Sequence, residues 1–211
     1  MNFLVRVPLQ ATPEQQQRLI ALQQVFAQVC NELAPKVQAT RVWNRVTLHH
    51  LYYRELRARF PALGSQMVCN AIYAVSKMAR LVYQHPDSPY NVSRTPESAL
   101  PLLKFAETCP VYFDRHTLSI KPGSLSLFTM DGRMHFQLDL PPEQLRLFEV
   151  ARLREVVLAR LSDQGFQLSF YLNYESDMKN DQLTQADELD YSAASMPPNN
   201  IPEYISIEVP R

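Results

Sequence analysis

Helical periodicity in this chain is confined to one internal block, and patterns of period two lie on both sides of it. The fold therefore has to accommodate helices inserted between strands. Phe3-Leu-Val-Arg-Val-Pro-Leu9 is apolar and partly alternating and predicts a short first strand. Thr12-Pro13-Glu14-Gln15 then carries a helix start: a threonine N-cap, a proline at the first helical position, and a glutamine three residues after the cap. Leu19, Leu22, Phe26, Val29 and Leu33 follow at helical spacing, and Pro35 predicts the end of that helix. A second helix is predicted from about Leu48 to Phe60, with Leu48, Leu51, Tyr52 and Leu56 as its apolar side and Pro61 as its stop. A third begins after Ser65 and runs to about Gln84, with Val68, Ile72, Val75, Ala79 and Val82 facing a core. Pro86, Pro89, Pro96 and Pro101 mark the stretch from His85 to Pro101 as a connecting loop.

From Val111 onward the pattern is one of short strands. Val111-Tyr-Phe, Thr117-Leu-Ser-Ile, Ser124-Leu-Ser-Leu-Phe and Met134-His-Phe-Gln-Leu are separated by the turn signals Lys121-Pro-Gly and Met130-Asp-Gly-Arg. Phe166, Leu168, Phe170, Leu172 and Tyr174 alternate strictly with polar residues, and Val156 to Leu161 is placed to pair with them across Ser162-Asp-Gln-Gly165. Glu143 to Arg160 fits helix as well as strand, and periodicity leaves both open. Tyr204-Ile-Ser-Ile-Glu-Val209 predicts a last strand after an acidic tail. The fold class is α+β: a β-barrel or sheet interrupted by an insertion of about three helices.

Hydrophobic residues make up 46% and charged residues 20% of the 211, values that argue against disorder of the whole chain. No run of about 18 apolar residues is present, so no membrane span or membrane partner is expected. The first ten residues lack a secretory pattern, and Cys30, Cys69 and Cys109 are odd in number and widely spaced. Together these predict a cytoplasmic protein with reduced thiols, neither a disulfide framework nor a zinc ribbon. No HExxH, Walker or GxSxG motif occurs, and with four glycines a phosphate-cradling glycine loop is not expected. His49 and His50 are adjacent, so on a helix they diverge and do not chelate one metal together. Asp114, His116, Asp131 and His135 fall on neighbouring strands but lack any motif spacing. No catalytic residue, metal site or cofactor is therefore assigned, and no enzymatic activity is expected.

The zero net charge conceals a strong asymmetry. Residues 1–84 carry ten basic side chains against three acidic ones, whereas residues 161–211 carry two against nine. Such a distribution fits a polyanion-binding half and an acidic tail. The basic residues lie with tyrosines on the polar sides of the helices. Arg41 and Arg45 lead into the second helix, His50, Tyr53, Arg54 and Arg57 lie on it, and Asn70, Tyr73, Lys77 and Arg80 form one stripe of the third. Cations interleaved with aromatic rings suit a phosphate backbone with stacked bases, and these ten residues are the candidate nucleic-acid-binding set.

Three stretches together resemble the TnpB (OrfB) proteins of insertion sequences. They are Leu9-Gln-Ala-Thr-Pro-Glu-Gln15 with Cys30-Asn31; Asn44-Arg-Val-Thr-Leu-His-His-Leu-Tyr-Tyr-Arg-Glu-Leu-Arg57 with Phe60-Pro and Ser65-Gln-Met-Val-Cys-Asn-Ala71; and Tyr112-Phe-Asp with Thr117-Leu-Ser and Leu125-Ser-Leu-Phe-Thr-Met-Asp-Gly-Arg133. The resemblance covers about Met1 to Tyr174. It implies a wedge-like β-barrel from residues 1–10 and 101–175, a helical recognition lobe with its Pro-rich loop over 11–100, and a hairpin from Val156 to Tyr174. It further implies a guide RNA as partner, with a target DNA or the RNA–DNA duplex beside it, in the manner of the related type V CRISPR effectors. Residues 176–211 then form an acidic tail whose Ile205-Ser-Ile-Glu-Val-Pro-Arg211 stands where the RuvC nuclease domain of that family opens. Glu208 occupies the place of the first catalytic Asp, and the remaining acids and the zinc cysteines are missing.

The expected protein is thus nuclease-dead, with any nuclease or transposition function supplied by a protein partner. A protein–protein adaptor or regulator, or an inactive transposon remnant, is the alternative. Two-metal cleavage needs several oxygen ligands converging from separate elements, which one glutamate does not supply. Incubation with single- or double-stranded DNA and Mg²⁺ or Mn²⁺ is accordingly expected to give no cleavage. Cutting that survives repurification and is abolished by a point change in this chain would contradict that expectation.

Overall fold

A computed structural model describes residues 2–94, 96–162, 165–174 and 201–210. The acidic segment between 175 and 200 lies outside the described residues, and with it the expectation of an acidic tail. The element order is β1 (Asn2–Leu9), α1 (Pro13–Thr40), α2 (Arg45–Arg59), α3 (Ser65–Tyr83), β2 (Leu102–Phe105), β3 (Val111–Phe113), β4 (Leu118–Lys121), β5 (Ser124–Thr129), β6 (Gly132–Gln137), α4 (Pro142–Val150), β7 (Arg152–Arg160), β8 (Phe166–Asn173) and β9 (Ile205–Glu208). The fold is α+β, with three helices inserted between the first strand and the rest.

Among the described residues the strands form three antiparallel sheets, in the orders β1-β8-β7-β3, β4-β5-β6 and β2-β9, and none closes into a barrel. A barrel needs its last strand to pair with its first. Here β1 pairs with β8, while β6, the edge of the meander, is met by a helix: Gln15 Nε2 of α1 donates to the His135 carbonyl at 2.9 Å. The hairpin expected from Val156 to Tyr174 is present as β7-β8, and the segment from Glu143 to Arg160 divides into helix α4 and strand β7. The expected last strand is β9, which pairs with β2. Strand β2 has no clear pattern of its own in the sequence.

Local chemistry explains the elements. The Thr12 hydroxyl accepts from the Gln15 N–H while the Gln15 side chain accepts from the Thr12 N–H, a reciprocal cap. The α1 stripe of Leu19, Leu22, Phe26, Val29 and Leu33 is fully buried. Pro35 does not end that helix, which continues to Thr40. An interior proline costs about 3 kcal/mol, and burial of Leu33, Ala34 and Val37 around it offsets that cost. The helix stops instead at Arg41, whose left-handed backbone (φ 56°) lets its N–H reach the Val37 carbonyl. Helix α3 buries its whole predicted stripe. Helix α2 does not: only Leu48 and Leu56 are buried, and Leu51, expected on the apolar side, is 55% exposed. Gly123 and Gly132 sit at positive φ in the two meander turns, as the turn signals require.

The helical block meets the meander at Gly64, just ahead of α3. A Cβ added there would lie 2.5 Å from Cε1 of Phe128 on β5. Gly64→Ala is expected to destabilise the protein by about 1–3 kcal/mol through overpacking, measured by urea denaturation. Combined with Phe128→Leu, the loss should be smaller than the sum of the two single changes.

Candidate nucleic-acid interface

Apart from Arg41, the candidate residues divide into an outward group and an inward one. The outward group lies on α2, where Arg45, His49 and Tyr53, each half-buried, succeed one another at four-residue spacing along the flank beside α3. The Arg45 guanidinium sits 5.2 Å from the centre of the Tyr73 ring, a cation–π contact between α2 and α3. His49 stacks on Tyr53 with ring centres 4.6 Å apart and planes at 20°. His50 and Arg54 lie beside this stripe and are exposed. His49 is not among the expected binding residues. Its signal is the four-residue spacing from Arg45 to Tyr53, obscured when the two histidines are read as a failed metal pair.

The position of Arg45 is costly for the helix. It is the first residue of α2, next to the N-cap Asn44, and the first turn contains no acid. A cation there opposes the positive end of the helix dipole, by a few tenths of a kcal/mol up to about 1 kcal/mol. The Val46 and Thr47 N–H groups of that turn already donate to Asn44 Oδ1, at 3.0 and 3.1 Å, so an anion there would meet the Arg45 guanidinium rather than the backbone.

The inward group holds the molecule together. Asn70, expected on an outward stripe, is 4% exposed, and its Nδ2 donates to the Tyr112 carbonyl at 3.0 Å. Lys77 pairs with Glu155 of β7 at 2.9 Å, and the Tyr73 hydroxyl donates to the same carboxylate at 2.6 Å. Both charged side chains are largely covered. Arg57 donates to the Phe60 and Leu63 carbonyls, closing the C-terminal end of α2. Arg41 belongs with neither group: it is exposed at the end of α1 and donates to the Pro96 carbonyl at 2.8 Å. Arg80 is partly buried, its Nε has no hydrogen-bond partner among the described residues, and burial lowers its pKa. Polar spacing on α3 therefore marks a face turned toward the sheet rather than toward solvent.

Asp114, His116, Asp131 and His135 do not converge. Asp114 caps its own turn and accepts from Gln66 Nε2 at 2.6 Å, while Asp131 faces Arg18 at 3.5 Å. Among the described residues no group of three His, Cys, Asp or Glu side chains is placed to hold a metal ion, and no helix is long and apolar enough to cross a membrane. The three thiols are unpaired; burial raises the Cys30 pKa well above its ordinary value and that of Cys109 to about 12. No protein-family model matches the chain, and no curated protein matches it.

The two groups should separate in stability measurements. Lys77→Ala strands a buried carboxylate and is expected to cost roughly 3 kcal/mol. Arg54→Ala, on an exposed helix face, should stay within about 0.5 kcal/mol of the parent. Equal denaturation midpoints for the two variants would remove the distinction.

Proposed function

We propose that this chain is a TnpB-like protein without nuclease function that binds guide RNA, and the RNA–DNA duplex formed on it, across the outward face of α2. Its cations neutralise phosphates, and sequence reading is left to base pairing. The observation that carries the reading is the Arg45–His49–Tyr53 stripe, with Arg54 beside it and Tyr73 beneath. It lies on a helix that buries two of its fifteen side chains. So lightly buried a helix is maintained by its ends and neighbours rather than by a broad apolar face, which leaves its surface free for a partner. The positions of β1 and the three helices ahead of the remaining strands agree with the order that the TnpB resemblance implies. A cytoplasmic location and a protein partner supplying nuclease or transposition function belong to the same reading.

The exposed Val46 and Leu51 on the same helix favour a second reading, in which α2 docks a protein partner as an adaptor would. RNA binding decides between them. Replacing Arg45 and Arg54 with Gln and Tyr53 with Ala should weaken binding of RNA that copurifies with the protein. It should also flatten the dependence of log K on log salt, by about 0.7 for each phosphate that is no longer neutralised. Unchanged affinity and slope in the folded triple variant, together with a stable protein partner held without RNA, would favour the adaptor.

A further inference from the structure

The outward face of the β4-β5-β6 meander carries a second concentration of polar chemistry, separate from α2. Residues on one face of a sheet recur at every second position. Here that face presents Ser119 and Lys121 from β4, Ser124 and Ser126 from β5, and Arg133 and His135 from β6. The register sets Ser119, Ser126 and His135 in one row across the three strands, with Lys121 opposite Ser124 in another row. The opposite face of the same strands is core, with Leu118, Leu125, Leu127, Met134 and Phe136 buried. The six polar residues line a hollow of about 410 Å³.

The construction of this hollow favours an anion. Its floor is made of serines at strand positions where β-branched or aromatic side chains would pack better, and their small size leaves the space open. Ser126 is 7% exposed and receives a hydrogen bond from Arg133 Nη1 at 3.0 Å, so its own hydroxyl proton is left to donate elsewhere. Arg133 is fixed at a second point, with Nη2 donating to the His116 carbonyl at 2.9 Å. This orients the guanidinium before any ligand arrives. No carboxylate lines the hollow, and neither Lys121 nor Arg133 has an ion-pair partner among the described residues. Two positive charges facing one space repel each other unless an anion joins them. The His135 imidazole also lines the hollow and adds a ring N–H that can face an anion.

We propose that the hollow binds a phosphate group. Arg133 and Lys121 would supply the charge, and the hydroxyls of Ser119, Ser124 and Ser126 would donate to its oxygens. The phosphate is either free or esterified in a nucleic-acid strand, and the chemistry recognised is the same. The site does not depend on the α2 reading.

The test is amide NMR of the full chain, titrated with inorganic phosphate and separately with a short oligouridylate, each against chloride at matched ionic strength. Saturable shifts confined to the amides around Ser119–Ser126 and Arg133–His135 are expected. Arg133→Gln should weaken the affinity about tenfold or more. Ser126→Val, which fills the floor and keeps every charge, should weaken it too, whereas Arg54→Gln should leave it unchanged. Saturation by inorganic phosphate identifies a free-phosphate site, and saturation by the oligonucleotide alone identifies a backbone phosphate. No saturable shift at these amides with either probe, or shifts that chloride reproduces, would overturn the proposal.

Discussion

The molecule depends on one buried carboxylate. Glu155 lies on β7 next to a register irregularity between Leu153 and Glu155, and its side chain accepts from Lys77 and Tyr73 of α3. A charge so covered needs a partner, and a lysine so covered needs the same. Neither element could shift without leaving an uncompensated ion, so the pair fixes α3 against the four-stranded sheet. The Lys77 ammonium also sits 5.2 Å from the centre of the Tyr112 ring, and Asn70 bonds the Tyr112 carbonyl, extending the junction along the helix to β3. Helix α2 rests on α3, so the direction in which Arg45, His49 and Tyr53 face follows from this junction.

Charge pairing then decides where the positive surplus of the first 84 residues is expressed. On the flank of α2 that meets α1, Lys36 reaches Glu55 at 2.8 Å and Arg59 reaches Glu32 at 2.9 Å, so cations and acids cancel there. Lys77 is neutralised by Glu155, and Arg18 faces Asp131. Of the cations left without an ion pair, Arg54 stands exposed on α2 and Arg45 lies half-buried against the Tyr73 ring. A uniform basic surface attracts any polyanion weakly, whereas a localised one beside aromatic rings sets the path that a strand would take.

Residues with a strong local pattern are legible in the sequence. The Thr12–Gln15 cap, the buried stripes of α1 and α3, and the alternation of β8 each follow from spacing alone. Pro35 misleads because its local penalty is visible in the sequence and the burial of Leu33, Ala34 and Val37 around it is not. The stretch from Glu143 to Arg160 resists assignment because it holds two elements joined at Ala151, so neither period runs its length. Asn70 and Lys77 read as outward because a polar stripe looks the same whether it meets water or a carboxylate on a distant strand. The partner of Lys77 lies 78 residues further along, and nothing near the lysine announces it. His49 escapes for the opposite reason: its partner Tyr53 is close, but adjacent histidines invite judgement as metal ligands alone.

The pairing of β1 with β8 has a consequence for how the molecule comes into being. Asn2 and Asn173 stand opposite each other in the register although they are 171 residues apart. At a synthesis rate of about 5–20 residues per second, the first strand waits roughly ten to thirty seconds before its neighbour exists. All contacts among α1, α2 and α3 lie within residues 13–83, so the helical block can pack during that interval. The sheet closes last, around a lobe already formed, and in the meantime β1 exposes an unpaired edge with Val5, Val7 and Leu9 on one side.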